Sequence, residues 1–427
     1  MVDVVVIGAG FAGCAAAREI RRAGREPLIL EARDRIGGRT WTDDWDGQRF
    51  ELGGNFFHWF QPHAWTEIVA ADCTPVPLPG SDRVRWTVGE EIRTGTRAER
   101  DAINERAWNA YNADSWEILP QPHAPLRYPD RIARLDGMTI RERIDELDLA
   151  DDERSLLTVE AEGVASGHLD DAGAFSVLRW HALSGHTLDG AQEACGYYTI
   201  DEGTIAFLQP ILDAAACEVR LSTPVAAVEQ EGDRVVVTTR AGEAIPARAV
   251  VVTAPLNTLG AITFEPGLSE GKQGGIALGQ AGIGSKLMIK VRGGDGLISA
   301  MHPDHPFGYI GTVFDLGEEQ IIVGFGHDGA EIQEDLGWVQ AQLDRAAPGY
   351  EVVGMRWHDW KADEFSQGTW AVHRPGWYTN YHAEMQRPEG RVVLANSDFA
   401  DGWAGFVDGA LESGKRGGRI AASLASG

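Results

Sequence analysis

The sequence predicts an α/β fold: a Rossmann-like dinucleotide-binding domain joined to a discontinuous α+β domain. Three observations carry this prediction. An apolar strand, Val2 to Ile7, runs straight into the glycine turn GAGFAG and a helix. A second short strand, Pro27 to Leu30, closes on Glu31, eighteen residues after Gly13. Strand patterns of the same kind return at Ala247 to Thr253 and Arg391 to Ala395, after long insertions of mixed helical and strand periodicity.

The first fifty-four residues organise the rest. Gly8 allows the tight strand-to-helix turn, Gly10 lets backbone approach a pyrophosphate, and Gly13 lets the helix, roughly Cys14 to Ala23, pack on the strand. A pyrophosphate there faces free N–H groups and the positive end of a helix dipole. Glu31 stands where a carboxylate accepts from adenosine ribose hydroxyls and disfavours a phosphorylated ribose, so FAD or NAD is expected rather than NADP. Next come Ala32-Arg33-Asp34-Arg35-Ile36-Gly37-Gly38-Arg39-Thr40 and Glu51-Leu52-Gly53-Gly54-Asn55. The two glycine pairs let backbone pass close to something bulky, and Arg33 and Arg39 can bring charge to phosphate.

EARDRIGGRTWT followed by ELGGNFFH resembles the paired flavin-binding motifs of the flavin-containing amine oxidases. That family includes monoamine, polyamine and L-amino-acid oxidases and bacterial nicotine-degrading oxidases. The resemblance implies a glutathione-reductase-type FAD domain with non-covalent FAD, whose ring reaches toward a second domain. The FAD-contacting positions it implies are Gly8, Gly10, Ala12, Gly13, Glu31, Ala32, Arg33, Gly38, Arg39, Gly53, Gly54, Asn55, Val225, Asp398, Phe406 and Val407.

Further along, Pro75 to Arg127 breaks into short pieces, a strand at Val84 to Val88 and a helix at Arg97 to Trp116. Helices follow at Thr139 to Ala150, Asp151 to Ser166 and Phe175 to Leu183, patterned as if packed over a pocket. Gly203 to Ala216 reads as a helix, and Glu218 to Leu221, Val225 to Glu229, Arg234 to Thr239 and Ala247 to Thr253 as a small antiparallel sheet returning to the main one. Gly271 to Gly284 reads as a glycine-rich connection. Strands at Lys286 to Val291, Phe307 to Phe314 and Ile321 to Gly326 and a helix at Leu336 to Ala347 build a second sheet region. Gly405 to Ala425 reads as a closing helix with small residues toward the dinucleotide. The expected division is an FAD domain of residues 1–74, 200–263 and 378–427 and a substrate domain of 75–199 and 264–377.

The resemblance also supplies candidate chemistry. Gly284-Ser285-Lys286-Leu287-Met288-Ile289 is similar to the family's lysine-bearing strand, where the lysine holds a water on flavin N5 and assists reaction with oxygen. A cation there suits the negative charge that develops. The stretch from Trp357 through Gly376 is more similar to bacterial 6-hydroxy-L-nicotine oxidase than to monoamine oxidases. It places Trp370 at one wall of an aromatic cage, with Phe406 at the other, where relatives carry Tyr or Trp. Such faces flank an amine and attract its cationic form by ~0.5 to 2 kcal/mol. There are two departures. Asn396 stands in place of a small glycine-containing turn before Asp398, which can still bond the ribityl or pyrophosphate region. Gly163, on a stretch with Glu160 and Glu162, replaces the pocket amide of the nicotine-type relatives. His58, Trp59, Trp180 and His181 either line the pocket or pack ordinarily.

Composition bounds the remainder. The 427 residues suit two domains, and 43% hydrophobic with 24% charged residues suits a globular chain. A net charge of -26 argues against nucleic acid and favours cations, protonated amines among them, or else serves solubility or a salty habitat. Cys14, Cys73, Cys195 and Cys217 show no metal-ligand spacing, so reduced thiols in a cytoplasmic protein are expected, with no metal. No apolar run is long enough to cross a bilayer, and no signal peptide precedes the first strand. The expected activity is oxidation of a secondary or tertiary amine, N-heterocyclic ones included, with O2 as acceptor. An L-amino-acid oxidase or desaturase is the alternative, a noncatalytic nucleotide-binding flavoprotein the further one. Oligomeric state stays open, a homodimer through substrate-domain surfaces being common among relatives.

Overall fold

The computed structural model describes residues 2–303, 305–326 and 332–426. Two large sheets carry the chain. The first has eight strands and runs Thr263–Glu265, Val225–Glu231, Arg234–Thr239, Ala244–Val252, Val2–Ile7, Pro27–Leu30, Glu218–Arg220, with Val392–Leu394 also paired to Ala244–Val252. Val2–Ile7 lies parallel to both neighbours, Val4 opposite Ala249 on one side and Pro27 on the other. Apolar on both faces, it is buried from Val4 to Ile7, as a central parallel strand must be.

Ala244–Val252 joins two kinds of pairing. Its first half is antiparallel to Arg234–Thr239, and its second half is parallel to Val2–Ile7 and Val392–Leu394. The antiparallel ribbon is therefore an extension of the main sheet. Glu218–Arg220, expected in that ribbon, instead lies parallel to Pro27–Leu30 at the far edge. Its three residues carry no alternation strong enough to specify a partner, so tertiary packing decides.

The first helix, Phe11–Arg22, is buried from Phe11 to Ile20. Burial on so many sides is possible because its residues are small and because the Val407–Leu424 helix presents glycine to it. A Cβ on Gly414 would lie 2.2 Å from Ala12 O, and one on Gly418 2.4 Å from Ala16 O. Gly417 turns to the sheet, against Ala395 and Val251. The small residues of the closing helix thus serve helix and sheet packing, a correction to their expected orientation toward the dinucleotide.

The second sheet has seven strands in the order Tyr350–Trp357, Ser285–Gly293, Glu319–Gly326, Tyr309–Asp315, Ser299–Met301, Arg83–Val88, Glu91–Thr96. Helices Arg97–Tyr111, Asp151–Ala165, Phe175–Leu183 and Leu188–Gly196 lie between the sheets in sequence, and the last of these had no sequence expectation. Arg97–Tyr111 stops five residues before the expected Trp116, where Asn112 turns its amide back onto Trp108 O. Ile140–Asp145 is shorter than expected but carries a full capping box, Thr139 with Glu142. The glycine-rich connection is in fact the helix Glu270–Leu278, capped by Ser269. Its glycines let Tyr381 and Met385 pack onto its backbone, a reason for glycine that periodicity does not reveal.

Candidate active site

One cavity of about 790 Å³ runs from the glycine turn of the first sheet to the strands of the second. Its near end is built on Gly8, Gly10, Ala12, Glu31, Ala32 and Arg33. The Phe11–Arg22 helix begins at Gly10 with no side-chain cap and no acid in its first turn, so its N-terminal N–H groups are left for a ligand. Gly8 adopts φ +106°, which only glycine takes readily. A Cβ on Gly13 would lie 1.9 Å from Gly8 O. Gly13, expected to contact FAD, does not line the cavity and packs behind the turn. Glu31 is buried, one oxygen accepting from Ala9 N at 2.6 Å and the other from Arg33 N at 2.8 Å. Each oxygen keeps a lone pair for a further donor. Val225 lies at the same end, at the start of its strand.

The middle is walled by Gly38, Arg39, Gly53, Gly54, Asn55 and Val407. Both expected arginines are already engaged. Arg33 donates to Asp363 at 2.7 Å and to Ser366, and Arg39 to Asp398 at 2.6 Å and to Thr369 O and Ser397. Asp398 is wholly buried behind the wall. Burial alone would raise its pKa, but Arg39, the Leu256 N–H and Ser397 hold it below the usual carboxylate range. Asp398 does not itself line the cavity; it holds Arg39, which does. Asn396 fixes this turn, donating to Ala254 O and accepting from Asp398 N. Asn396 and Ser397 are the residues of that segment that reach the cavity.

Beyond lie Lys286, Trp370 and Phe406. Lys286 is 6% exposed and donates to Gly53 O at 2.8 Å and Asn55 Oδ1 at 2.9 Å. Burial lowers its pKa to about 7 against the opposing pull of Glu51. Glu51, also buried, shifts the other way because burial outweighs its bonds to Thr204 and Thr42 and the nearby lysine. Trp370 is fixed by donation from Nε1 to Val164 O at 3.1 Å. Phe406 meets Trp180 edge-on with ring centres 4.9 Å apart, and Trp403 at 5.0 Å. The segments carrying the two walls pack closely: a Cβ on Gly405 would lie 3.5 Å from the Trp370 Cβ.

Gly163 lines the cavity too, with nothing within 4 Å of an added Cβ, so the missing amide leaves open space. His58, Trp59 and His181 do not line it. His58 is sealed beneath the surface against Glu193 and lies against the tilted ring of Trp59, itself 49% exposed. His181 accepts from Trp108 Nε1 in the core, where burial lowers its pKa to about 4. Lining residues that sequence reasoning missed include Tyr197, Tyr198, Gln192, Tyr309, Phe325 and Arg100. Their sequence neighbourhoods carry no motif, and only the fold turns them inward.

The sequence model of the family described as flavin containing amine oxidoreductase matches residues 11–316 and 327–419. The chain belongs to that family. It is 35% identical to a pseudooxynicotine dehydrogenase of a Pseudomonas species, over 100% of this chain and 87% of the relative. It is 29% identical to the (S)-6-hydroxynicotine oxidase of Paenarthrobacter nicotinovorans, over 97% of each. A solved structure of putrescine oxidase bound to putrescine shares the fold, with TM-score 0.83 at 21% identity over 100% of this chain and 99% of that one. The protein is thus a flavin-containing amine oxidoreductase, an enzyme for small-molecule amines. Among the described residues no helix is long and apolar enough to cross a membrane, and no cluster of three or more His, Cys, Asp or Glu could hold a metal ion.

Proposed function

We propose that this protein binds FAD without a covalent link and oxidises a secondary or tertiary amine, N-heterocyclic amines of the nicotine type included, with O2 as acceptor. The observation that carries the reading is one cavity joining an uncapped helix N-terminus and Glu31 to Trp370, Phe406 and the depressed Lys286. Residues 1–74, 200–263 and 378–427 form the FAD domain in this reading, and 75–199 and 264–377 the substrate domain. The first sheet falls almost wholly in the former and the second in the latter, which supports that division.

The residues present fit the cofactor. The helix N-terminus takes the pyrophosphate, Glu31 the ribose hydroxyls, and the glycine pairs give a flat dinucleotide its close approach. Bound FAD would supply a hydride acceptor for the carbon beside the amine nitrogen and hand the electron pair to O2 as peroxide, the iminium product being hydrolysed. The chain's own part is to orient and to control protons. Trp370 and Phe406 flank the amine and exclude water, while Lys286, held by Gly53 O and Asn55, sets a cation where negative charge builds. Charged, it retains one N–H beyond these two bonds.

The amino-acid-oxidase reading gains less support. Of the arginines lining the cavity, Arg33, Arg39, Arg100 and Arg240 already hold Asp363, Asp398, Asp101 and Glu364, and Arg97 is exposed. A substrate carboxylate would have to displace one of these. The names of the relatives point to pyridine-bearing amines. Purified protein should be yellow, release FAD into the supernatant on acid precipitation, and form peroxide with such amines. A colourless chain that takes up NADH in place of FAD would refute the proposal.

A further inference from the structure

Glu160 is a cavity-lining carboxylate with no part in the amine chemistry described so far. It sits on the Asp151–Ala165 helix in series with Gly163 and Val164, three and four positions on, so all three share one face. All three line the cavity. Val164 O anchors Trp370, which places Glu160 about one helical turn, ~5.4 Å of rise, from the cage.

Its carboxylate is half spoken for. Oε1 accepts from Asn104 Nδ2 at 2.8 Å and from Gln192 Nε2 at 3.1 Å. Oε2 takes no protein donor among the described residues. Asn104 is itself fully buried, and Gln192 comes from the Leu188–Gly196 helix, so two elements are fixed to aim this one group. The charged groups around it are Arg100, which already holds Asp101, with the Tyr309 phenol and the Cys195 thiol close by. Arg100 tempers the carboxylate without satisfying it. Glu160 is partly buried and lines the cavity, so Oε2 is open to a donor that enters it. Beside it, Gly163 leaves room for a ring or chain.

Resting on the amine-oxidation reading, we infer that Glu160 recognises a second, distal nitrogen of the substrate, one that carries a proton in the complex. The nitrogen donates N–H to Oε2 while the carbon beside the first nitrogen is presented between Trp370 and Phe406. The preferred substrate class is therefore an amine with two basic nitrogens, either a pyridylalkylamine or a diamine. The proton balance is simple: a neutral distal nitrogen takes the proton from a protonated Glu160, and a cationic one meets the carboxylate. The product is the same charge-assisted pair.

Matched substrates test this with FAD-loaded full-length enzyme: a pyridylalkylamine against the phenylalkylamine of equal chain length, and a diamine against the monoamine in which carbon replaces the distal nitrogen. In the wild-type enzyme, kcat/KM should favour the two-nitrogen member of at least one pair by on the order of 10- to 100-fold. In Glu160→Gln that ratio should fall to near one, chiefly through KM, with the FAD spectrum intact. Equal rates for both members in the wild type would overturn the inference, whatever the variant does. A preference that survives Glu160→Gln would overturn it as well. Flavin bleaching by both members alike leaves amine oxidation standing and removes only Glu160, whereas no bleaching by any amine removes both.

Discussion

Lys286 takes its chemistry from its surroundings. A strand lysine in water would keep its proton to about pH 10.4, but here burial brings the pKa to about 7, with Gly53 O and Asn55 fixing the amine. A group with a lowered pKa is charged below that value and neutral above it. Reoxidation of the reduced enzyme by O2 should therefore slow as pH rises through about 7. Lys286→Met should be slower by on the order of 100-fold and lose this pH step, since a fixed cation is gone. Stopped-flow reoxidation at several pH values reads both, and an unchanged profile removes Lys286 from the oxygen step. Trp370→Ala should lower kcat/KM for amines by roughly 2- to 30-fold, as loss of a cation–π face implies. Steady-state kinetics at fixed pH check this. A variant indistinguishable from wild type would remove the cage.

At the scale of elements, the glycine turn and the two helices that meet at it carry the fold's tightest contacts. Gly13→Ala puts a methyl group 1.9 Å from the backbone Gly8 O, with no flexible side chain there to yield. It should destabilise by at least ~2 kcal/mol and weaken FAD retention, as a denaturant midpoint and flavin content would show. Unchanged values would mean that the helix can back away. This turn was legible because its constraints are local: Val2–Ile7, Pro27–Leu30, Arg234–Thr239 and Phe175–Leu183 fall at their expected bounds. The Glu270–Leu278 helix was not legible. Its glycines are there to admit Tyr381 and Met385, neighbours more than a hundred residues away. Inward and outward faces were just as hidden. Trp180 reaches the cavity while the adjacent His181 turns to Trp108, and nothing in their own sequence separates them. Asp398 belongs to the same class, since a conspicuous acid after a strand can line a cavity or, as here, hold an arginine that does.

Across the whole molecule, the cavity draws walls from both sheets and from the helices between them. A ligand filling it ties these parts together and binds only the folded chain. FAD at 100 times its Kd should add about 2.7 kcal/mol to stability, so the apoprotein should melt well below the holoprotein, and equal melting temperatures would mean that the folded chain does not bind FAD preferentially. The lining keeps Glu160 facing the cavity and its internal arginines paired, an arrangement that receives amines more readily than acids. The decisive experiment is anaerobic stopped-flow mixing of holoenzyme with a pyridine-bearing secondary amine, following the oxidised flavin band from mild acid to mild base. Bleaching should accelerate as the amine loses its proton and should slow in Trp370→Ala. A flavin that stays oxidised with every amine, or bleaches at the same rate at every pH, would rule out oxidation of the neutral amine in this cavity.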